Sequence, residues 1–235
     1  MIDFKHLVIS RVACKWYNNK GILRCEAELN KSWKDWSTES IDIYNNYCRK
    51  SLANQTNKNF KLISIFDEDI NDYGDLLPNE DIVKLKNIND IKIVIRKYIK
   101  ESNINNKYLL ISRIDRDDCY KNNFVEILHN NITNNSYNEE FYFDVNKINI
   151  YNLLTKNKNI KDYKHTTSPF VNTLEYNKDN INLYSLAGHT SVIKKIKGID
   201  INELEVLQII HGDNLLNKST GNKTYFNLLD YGIIL

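Results

Sequence analysis

The chain has no Cys-x-x-Cys pair. Its four cysteines, Cys14, Cys25, Cys48 and Cys119, show no ligand-like spacing, which argues against a zinc ribbon or a dithiol redox site and leaves free thiols in a reducing cytoplasm as the expectation. It has no apolar run approaching a membrane span, and its start, Met1-Ile2-Asp3-Phe4-Lys5-His6, lacks the apolar core of a signal peptide. A cytoplasmic protein with no membrane span is therefore expected. Charge imbalance is nearly absent too: 32 basic and 30 acidic residues leave a net charge of +2, so bulk charge implies no polyanion-binding surface and no nucleic-acid partner. Glycine and proline are few, 7 and 2, beside abundant Asn, Lys and Ile, a bias of an A/T-rich gene without functional content.

At 235 residues, with the 42% hydrophobic and 26% charged residues of an ordinary soluble globular protein, the chain suits one large α/β domain or two small ones, with a substantial core. Its organising stretch is Tyr108-Leu109-Leu110-Ile111-Ser112-Arg113-Ile114-Asp115-Arg116-Asp117-Asp118. A continuous apolar run of this kind reads as a strand buried on both faces, and it ends in carboxylates. Asp115 and Asp117 are two residues apart, so on an extended backbone they share a face and can reach one hard cation, Mg²⁺ or Mn²⁺, carried largely by a substrate's phosphates. The alternative is a turn, with Asp118 capping a helix over Cys119 to Asn130. An EF-hand loop is excluded, because its sixth position, counted from Asp115, is Tyr120 and not glycine.

Taken in order, His6 to Cys14 reads as a first strand, and its Leu7-Val8-Ile9-Ser10-Arg11-Val12 nearly repeats Leu109-Leu110-Ile111-Ser112-Arg113-Ile114. Two neighbouring central strands would thus deliver Arg11 and Arg113 to one edge of the sheet, where a phosphate-bearing ligand needs positive charge. Lys15 to Ser37 is irregular, and its Trp16, Trp33 and Trp36 either stack on a sugar or pack on the domain. A helix capped by Ser37 or Thr38 follows and breaks at Asn54-Gln55-Thr56-Asn57. Phe60 to Phe66 is a second strand ending in Asp67-Glu68-Asp69, where Asp67 is either a base or ribose acceptor or a polar turn residue. Ile82 to Leu85 is a short strand, and Asn89 or Asp90 caps a helix with Ile91, Val94, Ile95, Tyr98 and Ile99 on one face. This is the order of βα units around a parallel sheet.

Beyond Asp118 the texture changes. Glu140 to Val145 and Ile148 to Leu154 read as a hairpin around Asn146-Lys147, and Ser168-Pro169 as the start of a short helix to Tyr176. Asn182 to Leu186 and Leu204 to Ile210 are further strand candidates, ending at Gly188-His189 and at His211-Gly212-Asp213-Asn214. The tail from Lys218 takes no firm assignment.

Several short motifs succeed one another along nearly the whole chain: Ser10-Arg11, Ser51-Leu52-Ala53-Asn54-Gln55-Thr56, Phe66-Asp67-Glu68, Arg113-Ile114-Asp115-Arg116-Asp117-Asp118, Phe124-Val125 and His211-Gly212-Asp213-Asn214. In that order they resemble the nucleotide-sugar glycosyltransferases of the GT-A fold, and more narrowly a family of rhamnosyltransferases. The resemblance implies a single GT-A-like α/β domain: a Rossmann-like, mostly parallel central sheet flanked by helices with a small antiparallel hairpin. Residues 1–118 would form its nucleotide-binding half and 119–235 its acceptor-binding half. It implies transfer of a sugar such as L-rhamnose from a dTDP or UDP donor to a glycan hydroxyl, with inversion. Asp115 and Asp117 would be the D-x-D motif holding Mn²⁺ or Mg²⁺ on the diphosphate, with His211 completing the coordination and Arg11, Asp67 and Arg113 binding the nucleotide sugar. The catalytic base would be Glu175, expected on the short helix, with Asp144 in reserve. The rival classes are a metal-dependent phosphotransferase or nuclease, which needs a second carboxylate cluster and a basic groove, and a non-catalytic carbohydrate-binding domain.

Overall fold

A computed structural model describes residues 2–135, 137–162, 168–186, 191–192, 194–212 and 222–234. Gly188-His189 and Asp213-Asn214 of the motifs above, and the start of the tail, lie outside the described residues. The continuous apolar runs form strands β1 (Phe4–Ala13), β2 (Lys61–Asp67), β3 (Glu80–Leu85) and β4 (Tyr108–Asp115), all parallel and ordered β3-β2-β1-β4. Between β1 and β2 lie α1 (Arg24–Leu29), α2 (Trp33–Ile43), a π-helical turn (Tyr44–Cys48) and α3 (Arg49–Ala53), and before β4 comes α4 (Ile91–Glu101).

The strands are apolar on both faces because both are covered. Leu7, Ile9, Ile63, Ile65, Leu109 and Ile111 pack with Ile91, Ile95 and Ile99 of α4. Val8, Val12, Leu62, Leu110 and Ile114 point the other way, onto Tyr44, Cys48 and Leu52 and onto α5 (Phe124–Asn134). Each fully buried aliphatic side chain contributes about 1.5–3 kcal/mol, so these two layers hold the frame of the site.

After Asp115 the chain turns through Arg116-Asp117 and enters β5 (Asp118–Tyr120), the edge of a second sheet. It then alternates between sheets. β6 (Phe141–Asp144), β9 (Asn172–Tyr176) and β10 (Lys197–Asp200) extend the first as β10-β6-β9-β4, with β9 antiparallel to both neighbours. β7 (Lys147–Asn152), β8 (Lys158–Asp162), β11 (Glu205–Ile210) and β12 (Asn222–Lys223) build the second as β12-β8-β7-β11-β5. Both sheets take strands from the region after residue 118, and one core cluster joins Val8 and Leu110 to Tyr120, Phe143, Ile148 and Val206. The architecture is mixed α/β: a central, mostly parallel sheet flanked by helices, with a smaller mixed sheet against its end. Among the described residues no helix is long and apolar enough to cross a membrane.

Several local expectations are corrected. The first long helix begins at Trp33, not Ser37, because Ser32 Oγ accepts the Asp35 N–H at 3.1 Å and caps it there. Asp118 caps no helix: Asp118–Tyr120 pairs with β11, and α5 starts only at Phe124. Glu140 to Leu154 is not a hairpin, since β6 and β7 belong to different sheets. Pro169 to Tyr176 is not helical, because Asn172–Tyr176 fills the slot between β4 and β6, where sheet pairing outweighs the proline cue. Within Asn182 to Leu186, a 3-10 turn stands at Tyr184–Leu186 in place of a strand.

The S-L-x-x-Q-T ending of the first helix proves to be a clamp. Ser51 Oγ accepts the Tyr120 N–H at 3.2 Å. Gln55 Oε1 accepts the Val125 N–H at 3.1 Å, while Nε2 donates to the Lys121 carbonyl at 2.8 Å. Gln55 thereby satisfies an orphan donor of α5, whose own Asn123 makes no side-chain cap. It fixes α3 against β5 and so fixes the turn that carries Asp117.

Candidate active site

The order β3-β2-β1 runs one way from β1, and β4 lies on its other side, so the crevice at the C-terminal ends of β1 and β4 is where chain direction across the sheet switches. Ligands of open α/β sheets bind at such a point. Arg11 and Asp115 are register partners there. Arg11 Nε and Nη2 donate to Asp115 Oδ1 at 2.8 and 2.6 Å, and Nη2 to Oδ2 at 2.7 Å. Arg113, on the same face two residues earlier, has its Nη2 3.9 Å from Asp115 Oδ2. Burial pushes the Asp115 carboxyl up, but the charges of Arg11 and Arg113 and the fork hydrogen bonds outweigh it and leave it at about 2. Burial and the charge of Arg11 pull the Arg113 pKa down against the attraction of Asp115.

Asp117 stands apart from this fork. It lies in the turn between β4 and β5, and the Ile209 N–H bonds its carbonyl at 2.8 Å, stitching the turn to β11. That stitch brings in His211, the residue after β11's last, whose Nε2 is 3.4 Å from Asp117 Oδ2. Both side chains are nearly covered, at 13% exposure for Asp117 and 9% for His211. Asp118, next along, is buried, and its Oδ1 has no hydrogen-bond partner among the described residues. Burial, then the charges of Asp117 and Asp115, drive its carboxyl well above the ordinary aspartate range.

The turn between β4 and β5, the loop after β1 and the starts of α1 and α2 meet through cation–ring contacts. Arg116 stacks over the Trp36 ring, 4.5 Å from its centroid, and Arg24 over Trp16 at 4.1 Å. Trp33 and Trp36 pack together at 5.5 Å, and Lys15 lies 5.4 Å from the Trp33 ring. Lys15 also pairs with Asp67 at 3.1 Å and with Asp69. Asp67 is fully buried, with its Oδ2 unpartnered among the described residues.

The sequence-derived residues thus fall into groups. Arg11, Arg113 and Asp115 meet; Asp117 meets His211; Asp67 sits at the end of β2 under Lys15. The two aspartates expected to face one cation together are engaged by different partners, because strand alternation ends at Asp115. Glu175 lies elsewhere. It is on β9 opposite Leu109, six residues down β4 from Asp115 and about 20 Å away at strand rise. It is fully buried and accepts from Leu183 N, Tyr184 N and Thr173 Oγ1, each at 2.7 Å. Those bonds hold the 3-10 turn, a structural task. Asp144 ends β6 on the same edge as Asp115: Ser112 in β4 bonds Asn172, which pairs with Phe143, so Asp144 is level with Arg113 two strands over, about 10 Å across. Its oxygens accept Ser168 N, Ser168 Oγ and its own neighbour's Val145 N, and burial raises its carboxyl to about 6 against those bonds.

Arg116 and Asp118 were not distinguished by spacing as site residues. Arg116 is a charged residue between two carboxylates, a pattern equally common in turns; only the stack on Trp36 separates it. Among the described residues no group of three or more His, Cys, Asp or Glu side chains converges as a ready metal cage. The Asp117 carboxylate and His211 imidazole are donors of the type Mn²⁺ or Mg²⁺ accepts when substrate phosphates supply the remaining ligands. The chain matches no family model, and a search of curated proteins finds no match.

Proposed function

We propose that the chain is a metal-dependent glycosyltransferase of GT-A type, moving a sugar such as L-rhamnose from a dTDP or UDP donor to a glycan hydroxyl. The observation that carries this reading is the pairing of Asp117 with His211 at 3.4 Å, beside the crevice where Arg11 and Arg113 end β1 and β4. The parallel order β3-β2-β1-β4 with antiparallel β9 next to β4 supports a nucleotide-binding sheet.

In this reading Asp117 and His211 would hold Mn²⁺ or Mg²⁺, which supplies Lewis-acid neutralisation of the leaving diphosphate. Arg113 offers positive charge to the phosphates, and Arg11 stands beside it at the same edge with its own charge paired to Asp115. The acceptor's proton goes to Asp144 Oδ2 in an inverting displacement. Asp144 replaces Glu175 as base on two grounds: it stands at the same edge as Asp115, and its carboxyl, at about 6, is closer to neutrality than an ordinary aspartate.

The test is a thermal-shift panel with dTDP, UDP, GDP and CMP, each with and without Mn²⁺, on the wild type and Asp117→Ala. One nucleotide should stabilise only with metal and only with Asp117 intact, by about 2.7 kcal/mol at 100 times its dissociation constant. Stabilisation by none of them would sink the reading.

A further inference from the structure

The cations around the β4–β5 turn are unequally used. Arg11 is neutralised by its fork to Asp115, and Lys15 by Asp67 and Asp69. Among the described residues Arg113 forms one ion pair, with Asp115 at 3.9 Å and so beyond hydrogen-bond reach, and feels Asp118 as well, though its side chain is only 13% exposed. Arg116 has no hydrogen bond or ion pair among the described residues, and its Nε is buried without a partner. An arginine cannot shed its charge, and its five N–H donors form a rigid planar fork. Two such groups lie within the electrostatic reach of one carboxylate, since Arg113 and Arg116 both act on Asp115.

A cation left unpaired on a surface normally stays mobile and solvated. Arg116 is instead placed with its guanidinium carbon 4.5 Å over the Trp36 ring, and Trp36 packs on Trp33. A ring against the guanidinium leaves its in-plane N–H donors as the groups that bond an oxyanion, and Nε among them is buried without a partner among the described residues. The order is bought before any ligand arrives, so little side-chain entropy remains to be lost on binding. Of the carboxylates nearby, Asp115 is saturated by Arg11, Asp117 faces His211, and Asp118 is buried and forms no ion pair with Arg116 among the described residues.

We propose that Arg116, prestacked on Trp36, together with Arg113, is the oxyanion clamp of this site and sets specificity for a phosphate-bearing ligand. The proposal rests on the glycosyltransferase reading for its choice of ligand, the donor's diphosphate. A phosphate or carboxylate on the acceptor glycan offers the same chemistry from the other side, and the two sources are separable.

The experiment is titration calorimetry without metal, using inorganic pyrophosphate, dTDP and UDP, and glucuronate and glucose 6-phosphate as acceptor-side anions. It is run on the wild type, Arg116→Ala, Arg116→Lys and Trp36→Leu, with each variant's melting curve as the folding control. Pyrophosphate affinity should fall at least tenfold in Arg116→Ala, and Arg116→Lys should recover only part of it, since lysine keeps the charge but loses the fork. Trp36→Leu should weaken binding several-fold with the charge unchanged. If the clamp serves the donor, the nucleoside diphosphate that binds loses the same factor; a loss confined to glucuronate or glucose 6-phosphate assigns it to the acceptor. Unchanged affinity for all these anions in a folded Arg116→Ala overturns the clamp. Its failure is distinct from failure of the functional reading: metal-dependent nucleotide binding that needs Asp117 can persist without it, and Arg116-dependent pyrophosphate binding can persist without any nucleotide response.

Discussion

Arg11 and Asp115 face each other at the same register of β1 and β4 and are joined by three hydrogen bonds of 2.6 to 2.8 Å. The fork fixes which way Arg11 points. Asp115→Asn keeps the shape but removes the charge, and should cost roughly 1–3 kcal/mol of stability, as hydrogen bonds to charged groups do. Because the folded carboxyl titrates at about 2 and its ordinary value is 3.8, its stabilisation is present above about pH 3.8 and is lost as pH falls from there through 2. Urea melts from pH 6 down to pH 2.5 check this: the gap between wild type and Asp115→Asn should narrow with acid, and a constant gap would refute it.

Asp117 and His211 carry the opposite expectation. The Ile209 N–H to the Asp117 carbonyl extends the β5–β11 ladder by one rung, so backbone pairing helps to hold His211 beside Asp117. Asp117→Asn and His211→Ala should leave the melting temperature without ligand within a few degrees of wild type, yet each should weaken Mn²⁺-dependent nucleotide binding by at least tenfold. Retained metal-dependent binding in both variants would remove them from the site.

The frame was legible in the sequence because its signals are local. Leu7 to Ile9 and Leu109 to Ile111 are apolar on consecutive residues, which only a doubly covered strand requires, and Arg11, Arg113 and Asp115 follow directly at the strand ends. His211 was legible as the end of a run, Leu204 to Ile210, though not as a neighbour of Asp117. What was not legible depends on pairing at a distance. Glu175 lies in a segment whose Ser-Pro start signals a helix, and only the vacant slot between β4 and β6 makes it a strand. β6 and β7 look like a hairpin because nothing local tells two consecutive strands that they belong to different sheets.

That reassignment separates two carboxylates by experiment. Glu175→Gln turns an acceptor toward the Leu183 or Tyr184 N–H into a donor, so it should lower stability by about 1–3 kcal/mol while leaving the proposed transfer activity of the folded protein within a few-fold of wild type. Asp144→Asn should lower turnover by roughly 10²–10⁴-fold. Measuring kcat and urea stability on both variants decides between them, and a large turnover loss in Glu175→Gln alone would return the base to β9.

A buried relay runs beneath the site and sets a separate pH dependence. Asn172 Nδ2 donates to the Phe143 and Phe170 carbonyls, so its Oδ1 accepts from Ser112 Oγ at 2.5 Å. Ser112 must then accept from His6 Nε2 at 2.8 Å, which leaves His6 Nδ1 to accept from His129 Nε2 at 3.0 Å, and His129 Nδ1 to accept from Asn57 Nδ2 at 3.3 Å. Each imidazole is thus neutral in one tautomer. Burial holds His129 at about 4 and His6 well below 6.5. A depressed histidine contributes stability that is fully present above pH 6.5 and is lost as pH falls toward 4, because the unfolded chain binds the proton first. Asp144, raised to about 6, pulls the other way over the same range, so the informative quantity is the difference between wild type and His129→Phe. At pH 7.5 the variant should be less stable by about 1–3 kcal/mol, since His6 Nδ1 loses its donor. By pH 4.5 that penalty should shrink or vanish, as the wild type alone carries the cost of keeping His129 uncharged. A penalty that stays the same across the range would mean the relay does not titrate as its geometry requires.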